Sequence, residues 1–80
     1  MKYILTYTEE KYLDKVIIGI RSDETIDCLK EKLKIAESNR DNDGNFKFLG
    51  FRFDEHDINF ALMTLDDYFT SIECKFTKII

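Results

Sequence analysis

Residues 15–33 read KVIIGIRSDETIDCLKEKL, and the pattern changes its period at Ser22. Before that point Val16, Ile18 and Ile20 alternate with Lys15, Ile17, Gly19 and Arg21, the period of a strand. After it, Ile26, Leu29, Leu33 and Ala36 recur at helical spacing and form one apolar stripe. Lys30, Glu31, Lys32 and Lys34 fall mostly on the wet side of that helix. Ser22, Asp23 and Thr25 stand at the junction. Each can accept from the orphan N–H groups of a first turn, and the acidic residues favour the positive end of the helix dipole. A strand that passes directly into an amphipathic helix, in so short a chain, predicts an α+β domain.

Working back toward the N-terminus, residues 2–8 (KYILTYT) alternate as well, with Tyr3, Leu5 and Tyr7 opposed to Lys2, Ile4 and Thr6. The polar stretch 9–14 (EEKYLD) joins the two strands, so an antiparallel hairpin is predicted. Working forward, the helix must stop by residues 38–45 (SNRDNDGN), which are turn-forming and almost without apolar groups. Residues 46–53 (FKFLGFRF) read as a strand interrupted at Gly50. Phe46 and Phe48 share one parity and Phe51 and Phe53 the other, so a turn or bulge is needed there. Residues 54–57 (DEHD) are polar. Residues 58–65 (INFALMTL) fit a strand through Ile58, Phe60 and Leu62, or a helix through Ile58, Ala61, Leu62 and Leu65. The strand is favoured, extending a hairpin around the polar stretch. Residues 65–69 (LDDYF) predict a helical turn. The alternation of Ile72, Cys74 and Phe76 predicts a final strand.

The chain has 80 residues, enough for one domain over 1–80 and no second. Seven Phe and four Tyr against no Trp point to an aromatic core. The formal charge of −4 comes from 12 basic and 16 acidic residues. No basic stripe is visible, which argues against a nucleic-acid partner and against docking on an anionic membrane. No apolar run reaches membrane length and no secretory leader is visible, so a cytoplasmic location is expected. Cys28 and Cys74 are either two reduced thiols or one bridge. With His56 as the single histidine they do not make a zinc set.

The segment SDETIDCLKEKL, the segment FKFLG at 46–50 and the segment TLDDY at 64–68 resemble, in that order and spacing, the ubiquitin-like family. They match its Thr-Ile helix opening, its third strand with the closing Gly, and the turn before its last strand. The resemblance implies a β-grasp: a mixed four- to five-stranded sheet packed on one helix, in the order ββαβ(β)β. It implies a protein partner and neither cofactor nor catalysis. Several features depart from the family. The first hairpin loop is longer, and an extra stretch lies between Phe53 and Thr64. Lys47 stands where ubiquitin has the isoleucine of its receptor patch, and Phe51 where it has its main chain-linking lysine. The chain reads Lys78-Ile79-Ile80 in place of a Gly-Gly tail, so these residues are not expected to be activated for conjugation. Non-conjugated members include small bacterial proteins that accompany type VII secretion systems and a splicing-associated modifier that binds partners without covalent attachment. Outside the family, a small acidic phage-type inhibitor is the other reading.

Candidate chemistry is sparse. His56 within Asp54-Glu55-His56-Asp57 reads as a metal or acid–base site, or more simply as a polar turn. Asp41-Asn42-Asp43-Gly44-Asn45 is half of a calcium loop without the closing Glu, and reads as a solvated turn. Asp66 and Asp67 read as caps of the helical turn, and Cys28 as packing. No nucleophile–base pair is evident, and no enzyme is expected. Strand parity places Ile4, Ile17, Lys47, Leu49, Thr77 and Ile79 on the outer side of the sheet. They are either scattered surface residues or one contiguous binding patch for a protein.

Overall fold

The computed structural model describes residues 1–71. Two long strands, β1 (Lys2–Glu9) and β2 (Asp14–Arg21), form the antiparallel hairpin that the alternation predicts. The helix α1 (Ile26–Ser38) follows, then two short strands, β3 (Phe46–Phe48) and β4 (Phe51–Phe53), and a long strand β5 (Asp57–Thr64). Residues 65–71 are helical. The terminal strand expected over Ile72, Cys74 and Phe76 lies outside the described residues.

Two expectations are corrected. The sheet is not mixed among the described residues: every strand pair there is antiparallel, and the strands divide into a three-stranded sheet, β2-β1-β5, and a separate hairpin, β3-β4. The cause is the alternating stretch over residues 57–64. It supplies a full-length strand that runs against β1 and fills the side β2 leaves open. The strand over 58–65 is therefore present, but it pairs with β1 and does not extend a hairpin around residues 54–57.

Local chemistry explains each boundary. Thr25 is the helix N-cap, and its Oγ1 accepts from the Cys28 amide at 3.2 Å. The helix closes where the Asn39 amide donates to the carbonyls of Ile35 and Ala36. Leu29 and Leu33 are buried, with Ile26 and Ala36 packed beside them, so the stripe read from the sequence is the buried face. Gly50 sits in the predicted turn. Leu49 and Gly50 both have positive φ, 50° and 84°, between the paired Phe48 and Phe51. Two positive φ values across a two-residue loop are what a twisted hairpin needs, and glycine adopts them without steric cost. The helical segment 65–71 is capped by Thr64, whose Oγ1 accepts from the Asp67 amide at 3.1 Å. Asp66 and Asp67 occupy the first turn and are not themselves the cap.

The core lies between the sheet on one side and α1 with the β3-β4 hairpin on the other. Leu5, Ile20, Leu29, Leu33 and Leu62 form its aliphatic part, with Tyr3 buried alongside. Tyr7, Phe46, Phe53 and Phe60 form its aromatic end, with ring centroids 5.1–5.5 Å apart in stacked, tilted and edge-on pairs. These rings hold the short hairpin on the sheet without a backbone ladder between them. The Tyr3 hydroxyl donates to the Glu24 carbonyl at 2.6 Å and ties the start of the helix to the core.

Candidate functional site

The three long strands expose one face that neither the helix nor the β3-β4 hairpin covers. Cross-strand partners share a face, and the register therefore defines its members. Lys2 lies opposite Arg21, Ile4 opposite Gly19, Thr6 opposite Ile17 and Thr8 opposite Lys15. On the other side Ile4 lies opposite Met63, Thr6 opposite Ala61 and Thr8 opposite Ile58. Thr6 at the centre is buried among these neighbours. Ile17 is 52% exposed, while Ile4, Ile58 and Met63 are half-buried.

A bulge decides the membership of β5. The register shifts between Thr6 and Thr8, where Asn59 and Phe60 together oppose Tyr7. Asn59 has φ 57°, a left-handed conformation that Asn tolerates better than most residues. Ile58 and Phe60 share a sequence parity, yet the bulge sends Phe60 into the aromatic core and leaves Ile58 outside.

The face has an apolar middle and a basic rim. Its charged positions are Lys2, Lys15 and Arg21, and no carboxylate occupies an outer-face position on the three described strands. This stands against the chain's formal charge of −4. Gly19 keeps the centre open: a Cβ built there would meet nothing within 4 Å. Lys2, Ile4, Gly19, Arg21 and Leu65 line a depression at that point.

The residues expected at the site are distributed as follows. Ile4 and Ile17 share the face, on adjacent strands. Lys47 is exposed but lies on β3, opposite Arg52, in the other sheet. Leu49 is 42% exposed at the tip of the β3-β4 turn, where it comes beside the end of β2 together with Phe51. Thr77 and Ile79 lie outside the described residues; within them the two neighbours of β1 are β2 and β5. Sequence reasoning missed Ile58, Ala61 and Met63. The alternation of residues 58–63 was legible, and Asn59 was the available signal that its phase breaks.

The polar turns serve the fold. The Arg40 guanidinium donates to the carbonyls of Gly44, Asp54 and Asp57 and lies 4.6 Å from the Phe46 ring centroid. It joins the loop after α1 to the loop before β5. Asp41 Oδ1 accepts from the Asp43 and Asn45 amides, each at 2.9 Å, so the calcium-like stretch closes on itself. Asp54 Oδ1 accepts from the His56 amide at 2.8 Å, and Asp57 Oδ2 from the Asp54 amide at 2.9 Å. Burial, with Asp57, Glu9 and Asp54 nearby, raises the Tyr7 hydroxyl above its ordinary pKa. The Glu24–Lys32 hydrogen bond holds the Glu24 carboxyl below its usual range and raises Lys32. Cys28 is exposed. Among the described residues no group of three or more His, Cys, Asp or Glu is placed to hold a metal ion. No helix there is long and apolar enough to cross a membrane.

No known protein family, curated protein or solved structure matches the chain.

Proposed function

We propose that this chain is a non-catalytic protein-interaction module that engages its partner through the outer face of the three-stranded sheet. The observation that carries the reading is the apolar middle of that face, the exposed Ile17 with the half-buried Ile4, Ile58 and Met63, inside a rim of Lys2, Lys15 and Arg21. Apolar area of this kind supplies association free energy of about 25 cal/mol per Å² before the costs of ordering, while rim charges act mainly on orientation and association rate.

The ubiquitin-like kinship belongs to the same proposal. It is supported by the order strand–strand–helix–hairpin and by the Thr25-capped helix opening, and it leaves the antiparallel β5 as this chain's departure. The accessory role beside a type VII secretion-like machine rests on that kinship.

The test is affinity capture from the source cell with the intact chain and with Ile4→Glu and Ile17→Glu, each first shown to be folded by circular dichroism. The expected result is loss of the same partner with both variants and retention by the intact chain at high salt. Capture that survives both substitutions would move the interface elsewhere. Capture that releases from the intact chain at high salt would favour the acidic-inhibitor reading, because screened charges lose their attraction.

A further inference from the structure

Away from the outer face, the loop after β1 and the 54–57 turn enclose a cleft of about 350 Å³, lined by Tyr7, Glu9, Tyr12, Asp54 and Asp57 among others. Two groups in it are incompletely partnered. Asp57 is 8% exposed. Its Oδ2 accepts from the Asp54 amide, and its Oδ1 has no hydrogen-bond partner among the described residues. No fully buried side-chain oxygen is orphaned there, so Oδ1 meets the water of the cleft. The Tyr7 ring is packed against Phe53 and Phe60, yet its hydroxyl makes no hydrogen bond among the described residues. Burial, then Asp57, Glu9 and Asp54, raise that hydroxyl above its ordinary pKa, which marks its surroundings as negative.

The chain's own cations do not neutralise Asp57. The ion pairs among the described residues are Glu24–Lys32 and Glu55–His56. Arg40 donates to the Asp57 carbonyl at 3.3 Å and leaves the carboxylate alone. Lys11 and Arg52 also line the cleft, but Lys11 lies over the Tyr12 ring, 5.6 Å from its centroid. A nearly buried carboxylate without a counter-ion favours a cation brought from outside. That cation is organic, since among the described residues no three His, Cys, Asp or Glu are grouped to hold a metal. A planar, delocalised cation suits these walls better than a compact ammonium, because it lies flat on aromatic rings and forks onto a carboxylate. Arg40 does the like nearby, 4.6 Å from the Phe46 ring centroid while bonding the carbonyls of Asp54 and Asp57.

We propose that this cleft takes the guanidinium of an arginine side chain from a partner protein. The guanidinium donates to Asp57 Oδ1 and to the Tyr7 hydroxyl oxygen, with Glu9 and Asp54 holding the potential negative around it. The formal charge of −4 draws such a basic partner toward the chain. The chain leaves β5 at the other end of the sheet: Thr64 lies opposite Tyr3, while Asp57 lies opposite Glu9, six residues or about 20 Å along β1. Residues 72–80 hold Lys75 and Lys78 and no arginine. The inference adds a second contact to the outer-face reading and does not depend on it.

The experiment titrates the full chain with capped Gly-Arg-Gly, with its lysine counterpart and with its citrulline counterpart, the neutral isostere. Backbone amide and tyrosine-ring NMR read the binding. The arginine peptide is expected to shift Tyr7, Asp54 and Asp57 and to lower the alkaline midpoint of Tyr7, because a guanidinium stays charged at that pH. The lysine peptide should bind more weakly and the citrulline peptide not at all. Asp57→Asn keeps an acceptor for the Asp54 amide and removes the charge; it should weaken the arginine peptide at least about tenfold. Tyr7→Phe keeps the ring packing and should weaken it about threefold. Ile17→Glu should bind it as the intact chain does. The proposal is overturned if the lysine or citrulline peptide binds as well as the arginine one, if the shifts fall outside the cleft, or if Ile17→Glu loses the binding. Unchanged binding by folded Asp57→Asn overturns it as well; if that variant does not fold, unchanged binding by Tyr7→Phe decides in the same sense. Replacing Lys75 and Lys78 by Gln should leave the Tyr7 signals of the free chain where they are. A shift there would give the cleft to the chain's own lysines and overturn the proposal too.

Discussion

The two faces of the β2-β1-β5 sheet come from the same three strands and differ in what closes them. The inner face meets α1 and the aromatic hairpin, and Tyr3, Leu5, Ile20 and Leu62 on it are all buried. The outer face carries residues of similar apolarity, Ile4, Ile17, Ile58 and Met63, and meets no element of the described chain along most of its length. Hydrophobicity alone does not separate them. Adjacent residues on β5 fall to opposite sides: Leu62 is buried against the helix side, and Met63 is half-buried outside. The inner face stabilises the fold, and the outer face is left largely uncovered among the described residues.

The sharpest way to break this comparison is on β5. Leu62→Ala should destabilise by about 2–5 kcal/mol, since it removes a buried side chain from a packed core. Met63→Ala, one residue on, should cost under about 1 kcal/mol in the same denaturant melt. Equal losses would mean that the outer face is covered and the comparison fails. Leu29→Ala should match Leu62→Ala, at about 2–5 kcal/mol, because it lines the same interior from the helix.

The bulge gives a smaller effect. Asn59→Val puts a β-branched residue at φ 57° and should cost about 1–2 kcal/mol. If the melt does not move, the left-handed kink is not what re-phases β5.

Smaller again is the outer face itself. Ile17→Glu should change stability by no more than about 0.5 kcal/mol, as exposed substitutions do, while abolishing partner capture. A large loss of stability would show that Ile17 is packed.

The last effect vanishes at neutral pH. Tyr7 has its pKa raised above the ordinary 10.0 by burial first, then by Asp57, Glu9 and Asp54. The unfolded chain therefore loses the phenolic proton first. The sign follows: stability is intact below the unfolded value and falls as pH rises through the folded value. An ultraviolet titration of tyrosinate should show a late-ionising component that Tyr7→Phe removes. Tyr7→Phe should also lose less stability than the intact chain at alkaline pH.

Much of the fold was legible because it is local. The hairpin, the helix with its Thr25 cap and its buried Leu29 and Leu33, and the Leu49-Gly50 turn each depend on neighbours within a few residues, and period and turn chemistry encode such features directly. The candidate site was half legible. Ile4 and Ile17 follow from alternation in β1 and β2. Ile58, Ala61 and Met63 do not, because the Asn59 bulge resets the phase in a way that counting by twos cannot follow. Arg40 was missed for the same reason of scale: three carbonyls from two loops converge on it only after the chain has folded back.

Direction of pairing was the largest thing sequence left undetermined. An alternating strand fits either side of β1 and runs either way, since its backbone groups carry no side-chain information about their partner. The sequence by itself determined which residues turn inward on β1 and β2 and where the helix begins and ends. Only the tertiary structure decided that β5 fills the second side of β1 antiparallel, that β3 and β4 stand apart as an aromatic clamp, and that β2 has one strand neighbour among the described residues. Those are choices among long-range pairings of similar local cost, settled by which arrangement buries the aromatic cluster and the aliphatic stripe together.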